Sequence, residues 1–423
     1  MENPPVAMED SLAAALRLSL HASRRTKNTA AAFDDWAPVQ LVGTDGRIQE
    51  AYKRAMNNPA NPTVSAKKPG PSIRRSLKDA FQNDFYVGVA LSLDQILGKE
   101  PDALAQVVKH FNSITPENIL KWEEVHPKPD QYRFEAADRY VALGEKHGMH
   151  IIGHALVWHI QTPDWVFEDS AGKPLGREAL LARMKEHIFT VVGRYRGRIH
   201  GWDVVNEAVT ADGEMRKSRW REIIGDDYVA KAFEFAREAD PDAELYYNEY
   251  DYEAHPKRDG VIRLVKDLQA RGIRVDGVGV QGHWFLEFPS IAEIESQFEL
   301  LAQLGAKLMI TELDVGVLPW YRLDSAIVPL SSFDAETQRK HNPYPDALPA
   351  SVSEAQAKRY ADLFSLFLKH RDRIGRVTFW GVHDGQSWRS YWPITGRTEY
   401  PLLFDRRCEA KPALEAILSL RRA

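Results

Sequence analysis

A closed barrel of eight parallel strands, each followed by a helix or crossover, is the α/β fold class that this sequence predicts. Three observations carry the prediction. From Ser76 onward, short apolar runs alternate eight times with segments of helical spacing. No glycine-rich turn follows the first run at Leu91, as a doubly wound open sheet would show. And seven of the eight runs lead into amides, acids, imidazoles or indoles, the position at which (β/α)8 barrels carry their functional groups.

Residues 1–75 stand apart from this pattern. Ser11 is placed to cap a short helix with Leu12, Leu16 and Leu20 on one face. That stretch is too short and mixed for a clear signal peptide, and Arg24 and Arg25 follow it rather than precede it. Residues 57–72 are rich in Pro, Asn, Gly and Lys, as a linker is. The expected organisation is a partly ordered N-terminal extension and linker over 1–75 and one (β/α)8 domain over 76–423.

In that domain the first strand is expected over 85–91. The helix at 101–112 places Leu104, Val107, Val108 and Phe111 on one face. A short second strand at 113–115 is followed by a helix at 134–147, stopped by Gly148. The third strand, 149–157, leads to a long amphipathic helix at 177–195. The fourth, 199–206, leads to a helix at 228–239, ended by Asp240-Pro241. Strand five at 244–248 and a helix at 258–271 come next, the helix closed by Gly272. Strand six at 278–281 precedes a helix at 290–304, closed by Gly305. Strand seven spans 307–311. The connection after it, 316–351, is long and holds Pro319, Trp320, Tyr321, Pro329, Pro343, Tyr344, Pro345 and Pro349. A connection that long is usually functional or disordered, and at a barrel mouth a cover over the cleft is expected. A helix at 354–370, strand eight at 376–381 and a helix at 412–420 complete the chain.

Composition narrows the function. The 423 residues are 44% hydrophobic with a net charge of −5, so no basic field points to nucleic acid or an anionic membrane as partner. No apolar run reaches the length of a membrane span. A single cysteine, Cys408, excludes an internal disulfide and a cysteine-based metal site. Eleven Trp and fifteen Tyr serve either a large core or sugar stacking, and numbers alone do not separate these.

The residues past each strand carry the chemistry. They are Glu117, Asn118 and Lys121; His154, Trp158, His159 and Gln161; Asn206 and Glu207; Asn248, Glu249 and Tyr250; Gln281, His283 and Trp284; Glu312 and Asp314; and Trp380, His383, Asp384, Trp388 and Arg389. No metal centre is expected: there is no His-Glu-x-x-His, and His154 and His159 would face opposite sides of a strand. His283, Glu312 and Asp314 are the best ligand set on offer. Gly277-Val-Gly-Val-Gln-Gly matches a dinucleotide fingerprint, but its glycines run through a strand and no helix follows at once. No Gly-x-Ser-x-Gly appears, and Cys408 lies away from the other candidates. What remains is a pair of carboxylic acids at the ends of two buried strands, Glu207 and Glu312, as glycoside hydrolysis needs. One must keep its proton near neutral pH and the other must stay ionised. Their neighbours favour Glu207 as acid/base and Glu312 as nucleophile without excluding the reverse.

At these residues the sequence resembles glycoside hydrolase family 10, the retaining endo-β-1,4-xylanases. The resemblance runs from about Ser76 to Leu420 through Ile114-Thr-Pro-Glu-Asn-Ile-Leu-Lys-Trp-Glu, Gly153-His-Ala-Leu-Val-Trp-His, Gln161-Thr-Pro-Asp-Trp, Trp202-Asp-Val-Val-Asn-Glu, Asn248-Glu-Tyr, Val280-Gln-Gly-His, Ile310-Thr-Glu-Leu-Asp, Phe379-Trp-Gly-Val and Ser387-Trp-Arg. It implies retaining hydrolysis of β-1,4-xylosidic bonds in xylan or xylo-oligosaccharides, without a cofactor. It implies Glu207 as acid/base, Glu312 as nucleophile, Asn206 on the sugar 2-hydroxyl, His283 holding the nucleophile, and Asp314 behind His283. Glu117, Asn118, Lys121, His154, Trp158 and Gln161 would grip the non-reducing side of the chain, and Gln281 also lies in a matched motif as a binding residue. Trp380 and Trp388 would roof the reacting sugar, and Tyr250 would face the leaving group. Secretion or a periplasmic location is the expectation that goes with such a substrate. Two departures stand out: His383, where many members have Thr or Ser, and the long 316–351 connection. A β-glucanase on the same barrel, or a binding relative without activity, are the alternatives.

Overall fold

Parallel strands buried on both faces read as near-continuous apolar runs, because helices cover the outside and neighbouring side chains fill the inside. The computed structural model of the chain builds such a barrel. It describes residues 75–319 and 327–421. The expected Ser11-capped helix and the linker at 57–72 lie outside the described residues, as do Trp320 and Tyr321.

Eight strands make the barrel: β1 Tyr86–Leu91, β2 Ser113–Pro116, β3 His150–Val157, β4 Gly201–Asn206, β5 Glu244–Glu249, β6 Gly277–Val280, β7 Lys307–Gly316 and β8 Ile374–Phe379. Each pairs in parallel with the next, and β8 closes the ring on β1 with Tyr86 opposite Arg376. Eight main helices follow them: α1 Pro101–His110, α2 Glu135–Lys146, α3 Arg177–Arg194, α4 Tyr228–Ala239, α5 His255–Ala270, α6 Ile291–Leu301, α7 Ala350–Lys369 and α8 Pro412–Ser419. Helix starts follow local chemistry. Ser290 caps α6 in a reciprocal box with Glu293, and Pro101, Pro256 and Pro412 open the first turns of α1, α5 and α8.

The glycines of the Gly277-Val-Gly-Val run make room in the barrel interior. A Cβ on Gly279 would clash with Asn248 Oδ1. The fingerprint is therefore a packing feature of β6, and no phosphate turn follows it.

One expectation is corrected. Strand seven does not stop at Thr311. β7 continues through Glu312 and Asp314 to Gly316, because a short strand, His283–Phe285, pairs with its outer half and sets His283 opposite Asp314. The 316–351 connection also has structure of its own. It contains a 3-10 turn at Leu330–Ser332 and a helix at Ala335–His341, whose N-cap Asp334 accepts from the amides of Glu336 and Thr337. Val328–Pro329 pairs with Ile394–Thr395, and Asn342 Oδ1 accepts from the Thr398 amide at 2.9 Å. The connection is thus bound to the segment after β8.

Candidate active site

β4 delivers Asn206 and then turns sharply. Glu207 has φ of 59°, a left-handed conformation that costs a residue with a side chain roughly 1–3 kcal/mol. Hydrogen bonds hold the turn. The amide of Glu207 donates to Asn248 O at 2.9 Å, that of Ala208 to Tyr247 Oη at 3.0 Å, and that of Val209 to Glu249 Oε2 at 3.2 Å. Arg216 Nε donates to the Glu207 carbonyl at 3.0 Å. The Glu207 carboxylate receives Trp158 Nε1 on Oε2 and both Asn206 Nδ2 and Gln281 Nε2 on Oε1, each at 2.9 Å.

Glu312 is served from β5 and from the short strand after β6. Asn248 Nδ2 donates to its Oε1 at 2.8 Å and to Asn206 Oδ1 at 2.9 Å. His283 Nε2 lies 3.2 Å from Glu312 Oε2, and its Nδ1 lies 3.1 Å from Asp314 Oδ1. Asp314 in turn accepts from Trp388 Nε1 and Arg389 Nε, each at 2.8 Å. The two acids therefore share one buried amide network through Asn206 and Asn248.

Their proton states differ. Burial, with the nearby carboxylate of Glu249 adding to it, pushes the Glu207 carboxyl above its ordinary range; the bonds from Gln281 and Trp158 only partly offset this. Burial also works against an ionised Glu312, but the hydrogen bond and charge of His283 outweigh it and hold that carboxyl below its ordinary range. His283 can supply that charge. Burial opposes its protonation, yet Asp314 and Glu312 raise its pKa to about 9. Burial thus favours the protonated form of Glu207, while His283 is an imidazolium at neutral pH and favours the ionised form of Glu312.

The other expected residues gather around this pair. Lys121 Nζ donates to Asn118 Oδ1 at 2.9 Å and lies 4.7 Å from the Trp158 ring centroid. Burial raises the carboxyl of Glu117 and depresses the ammonium of Lys121, and each opposes the shift of the other. His154 Nδ1 meets Asp203 Oδ2 at 2.9 Å, and its ring stands edge-on to Trp380 at 5.3 Å. Gln161 takes φ of 51° and keeps its side-chain oxygen buried with no hydrogen-bond partner among the described residues. Tyr250 Oη accepts from Arg216 at 3.2 Å. His159 sits past the end of β3, in a recess lined by Trp158, Asn206, Glu207, Trp220 and Tyr228 that leaves no room for a water molecule. It does not alternate with His154 on one strand as expected. Glu312, His283 and Asp314 lie in series with the imidazole in the middle, and among the described residues no group of three or more His, Cys, Asp or Glu is placed to hold a metal ion.

His383 is engaged within the segment after β8 and with Glu100. Its Nδ1 accepts from the Gly385 amide and its Nε2 lies 3.2 Å from Glu100, which also binds Gln386. The imidazole pins the segment after β8, which carries Trp388, to the start of α1. Arg216 and Lys257 lie outside the expected set, and Asn248 and Glu249, which stand in it as strand-end residues, had no role assigned. An amide at the end of β5, beside the Asn206-Glu207 pair, was the signal for Asn248.

Comparison with known proteins bears on the family and the fold. The sequence model of glycosyl hydrolase family 10 matches residues 76–420. The endo-1,4-beta-xylanase A of Xylanibacter ruminicola is 42% identical over 351 residues, covering 82% of this chain and 93% of that protein. The endo-1,4-beta-xylanase of Geobacillus stearothermophilus is 41% identical over 348 residues, covering 82% and 98%. Among solved structures, a family 10 endoxylanase from a sugarcane soil metagenome superposes with a TM-score of 0.77 at 44% identity, over 82% of this chain and all of that one. A xylanase from Paenibacillus barcinonensis, complexed with a conduramine derivative, gives 0.74 at 39% identity over 82% and 99%.

Proposed function

The chain belongs to glycosyl hydrolase family 10, and on that premise we propose that Glu207 is its acid/base and Glu312 its nucleophile. The protein hydrolyses β-1,4-xylosidic bonds within xylan, with retention at the anomeric carbon and two glutamates as the reacting pair. In the first step Glu312 attacks that carbon while Glu207 protonates the departing oxygen. In the second, Glu207 takes a proton from water, which releases the sugar from Glu312. One observation carries the assignment of roles: two buried carboxyls in a single network are driven in opposite directions, Glu207 toward keeping its proton and Glu312 toward losing it. Asn206 is proposed to bond the 2-hydroxyl of the reacting sugar, a contact that strengthens as the ring takes on positive charge. Glu117, Asn118, Lys121, His154, Trp158, Gln161 and Gln281 are proposed to hold the glycone. Trp380 and Trp388 are proposed to cover it, and Tyr250 to meet the leaving group.

The nucleophile is tested by trapping. A 2-deoxy-2-fluoro-β-xylobioside with a dinitrophenyl leaving group reacts in the first step and stalls in the second, since fluorine destabilises the oxocarbenium-like transition state of both. Peptide mapping of the stalled protein is expected to find one sugar on Glu312. A label on any other residue would overturn the assignment.

Residues 1–75 are proposed to be an appendage and 76–423 a self-sufficient catalytic domain, because among the described residues the reacting network is made by side chains of the barrel. A chain beginning at Ser76 is expected to keep kcat/KM on xylo-oligosaccharides within about twofold. A loss of tenfold or more in a truncated chain that still melts cooperatively would place part of the site in the extension.

A further inference from the structure

The charges behind Glu207 go unused by the two-step reaction. Glu249, at the end of β5, is fully buried. Its Oε2 accepts from Tyr247 Oη at 2.7 Å and from the Val209 amide at 3.2 Å. Its Oε1 accepts from the Tyr250 amide at 3.1 Å and pairs with Lys257 Nζ at 3.0 Å. Lys257, on α5, is equally buried. Breaking such a pair is costly, yet replacing it whole by apolar residues is often neutral or stabilising, so stability alone is weak grounds for its presence. Its position is more telling. Val209 is two residues past Glu207, so the Glu249 carboxylate fastens the far side of the left-handed turn that aims the acid.

We propose that Glu249 is a positioning residue for Glu207: its carboxylate fixes the turn at residues 207–209 and keeps a second negative charge beside the acid. The inference rests on the reading of Glu207 as acid/base. Other groups face the same region. Arg216 reaches Glu249 and Glu207 from the segment after β4, Tyr228 comes from α4, and Tyr250, Asp251 and Tyr252 follow β5. Glu312, Gln281 and Trp158 face Glu207 from its other side. Of these, Glu249 is the neighbouring charge that most favours the protonated acid, ahead of Glu312. Lys257 Nζ, 3.0 Å from Glu249 Oε1, supplies the counter-charge in the dry interior.

The test is the pH profile of kcat/KM on a xylo-oligosaccharide. Its alkaline limb reports loss of the proton from the acid. Glu249→Gln removes the charge, so the acid should give up its proton at lower pH. The expected result is a several-fold loss of rate on the alkaline side, with the acid limb unmoved. Because Glu249→Gln strands Lys257 without a counter-charge, the double variant Glu249→Gln/Lys257→Met, which removes both charges, is measured alongside and is expected to move the limb in the same direction by a smaller amount. An alkaline limb that stays in place in either folded variant overturns the inference. A parallel Glu207→Ala variant keeps the two claims apart. If added azide accelerates that variant on an aryl xyloside while the limb of the Glu249 variants stays put, only the role of Glu249 fails. If azide has no effect, the reading of Glu207 itself fails.

Discussion

Glu312→Ala is expected to lower xylan hydrolysis on the order of 10⁵-fold, since no other group is placed to attack the anomeric carbon in its stead. That factor corresponds to roughly 7 kcal/mol of transition-state stabilisation. The variant should fold. Glu312 lies on β7 at the barrel rim, and its removal leaves the strand pairings of β6 and β8 intact. It would take one acceptor from Asn248 Nδ2, which still donates to Asn206, and the partner of His283 Nε2, while His283 Nδ1 keeps Asp314. With a dinitrophenyl xyloside and azide, activity should return in part. Azide would enter from the vacated side, so the product should be the α-glycosyl azide. A β-azide, or near-normal turnover of xylan, would place the nucleophile elsewhere.

The wild-type pH profile follows from the same network, with opposite signs at its two ends. Glu312 must be ionised, and its carboxyl is held low, so activity falls only as acid protonates it. Glu207 must be protonated, and its carboxyl is held high, so activity falls as pH rises through its pKa. His283, at about 9, stays charged across the working range and maintains the ionised state of Glu312.

The barrel was legible because its strands are apolar runs and its helices are amphipathic, two periods that differ clearly. β7 shows where that signal ends. Glu312 and Asp314 are charged and read as the residues past a strand, yet the backbone continues as strand because His283–Phe285 supplies a partner beyond the barrel rim. Pairing of that kind depends on two segments about thirty residues apart, and no local period records it. The acids themselves were legible as polar residues at the ends of apolar runs. The residues that set their proton states were less so. Asp314 bonds Arg389, 75 positions away, and Glu249 pairs with Lys257 across a turn and a helix start. A buried charge looks like a surface charge in sequence until its partner is placed beside it. The helix at Ala335–His341 did leave a local sign, Asp334 followed by two residues and Thr337, an N-cap spacing hidden inside a proline-rich segment.

Glu207→Ala should separate the two steps of the reaction, because the acid is needed only where the leaving group is poor. On xylan the departing sugar oxygen must be protonated, and losing a positioned general acid is expected to cost on the order of 10³-fold. On a dinitrophenyl xyloside the leaving group departs unaided, so the first step should stay close to the wild-type rate. The second step would lack its base. The glycosyl-enzyme should therefore accumulate, seen as a burst of dinitrophenolate followed by slow turnover. Azide needs no base, so it should raise the steady-state rate and give the β-glycosyl azide, the opposite anomer to that expected from Glu312→Ala. That contrast matters because the two glutamates share Asn206 and Asn248, and a merely structural defect at either would spread through the same bonds. Damage to the network would slow xylan and the dinitrophenyl xyloside alike and yield no azide product. Equal losses on both substrates would therefore count against Glu207 as the acid, whereas a leaving-group-dependent loss with a retained azide product can arise only if Glu207 handles the proton in both steps.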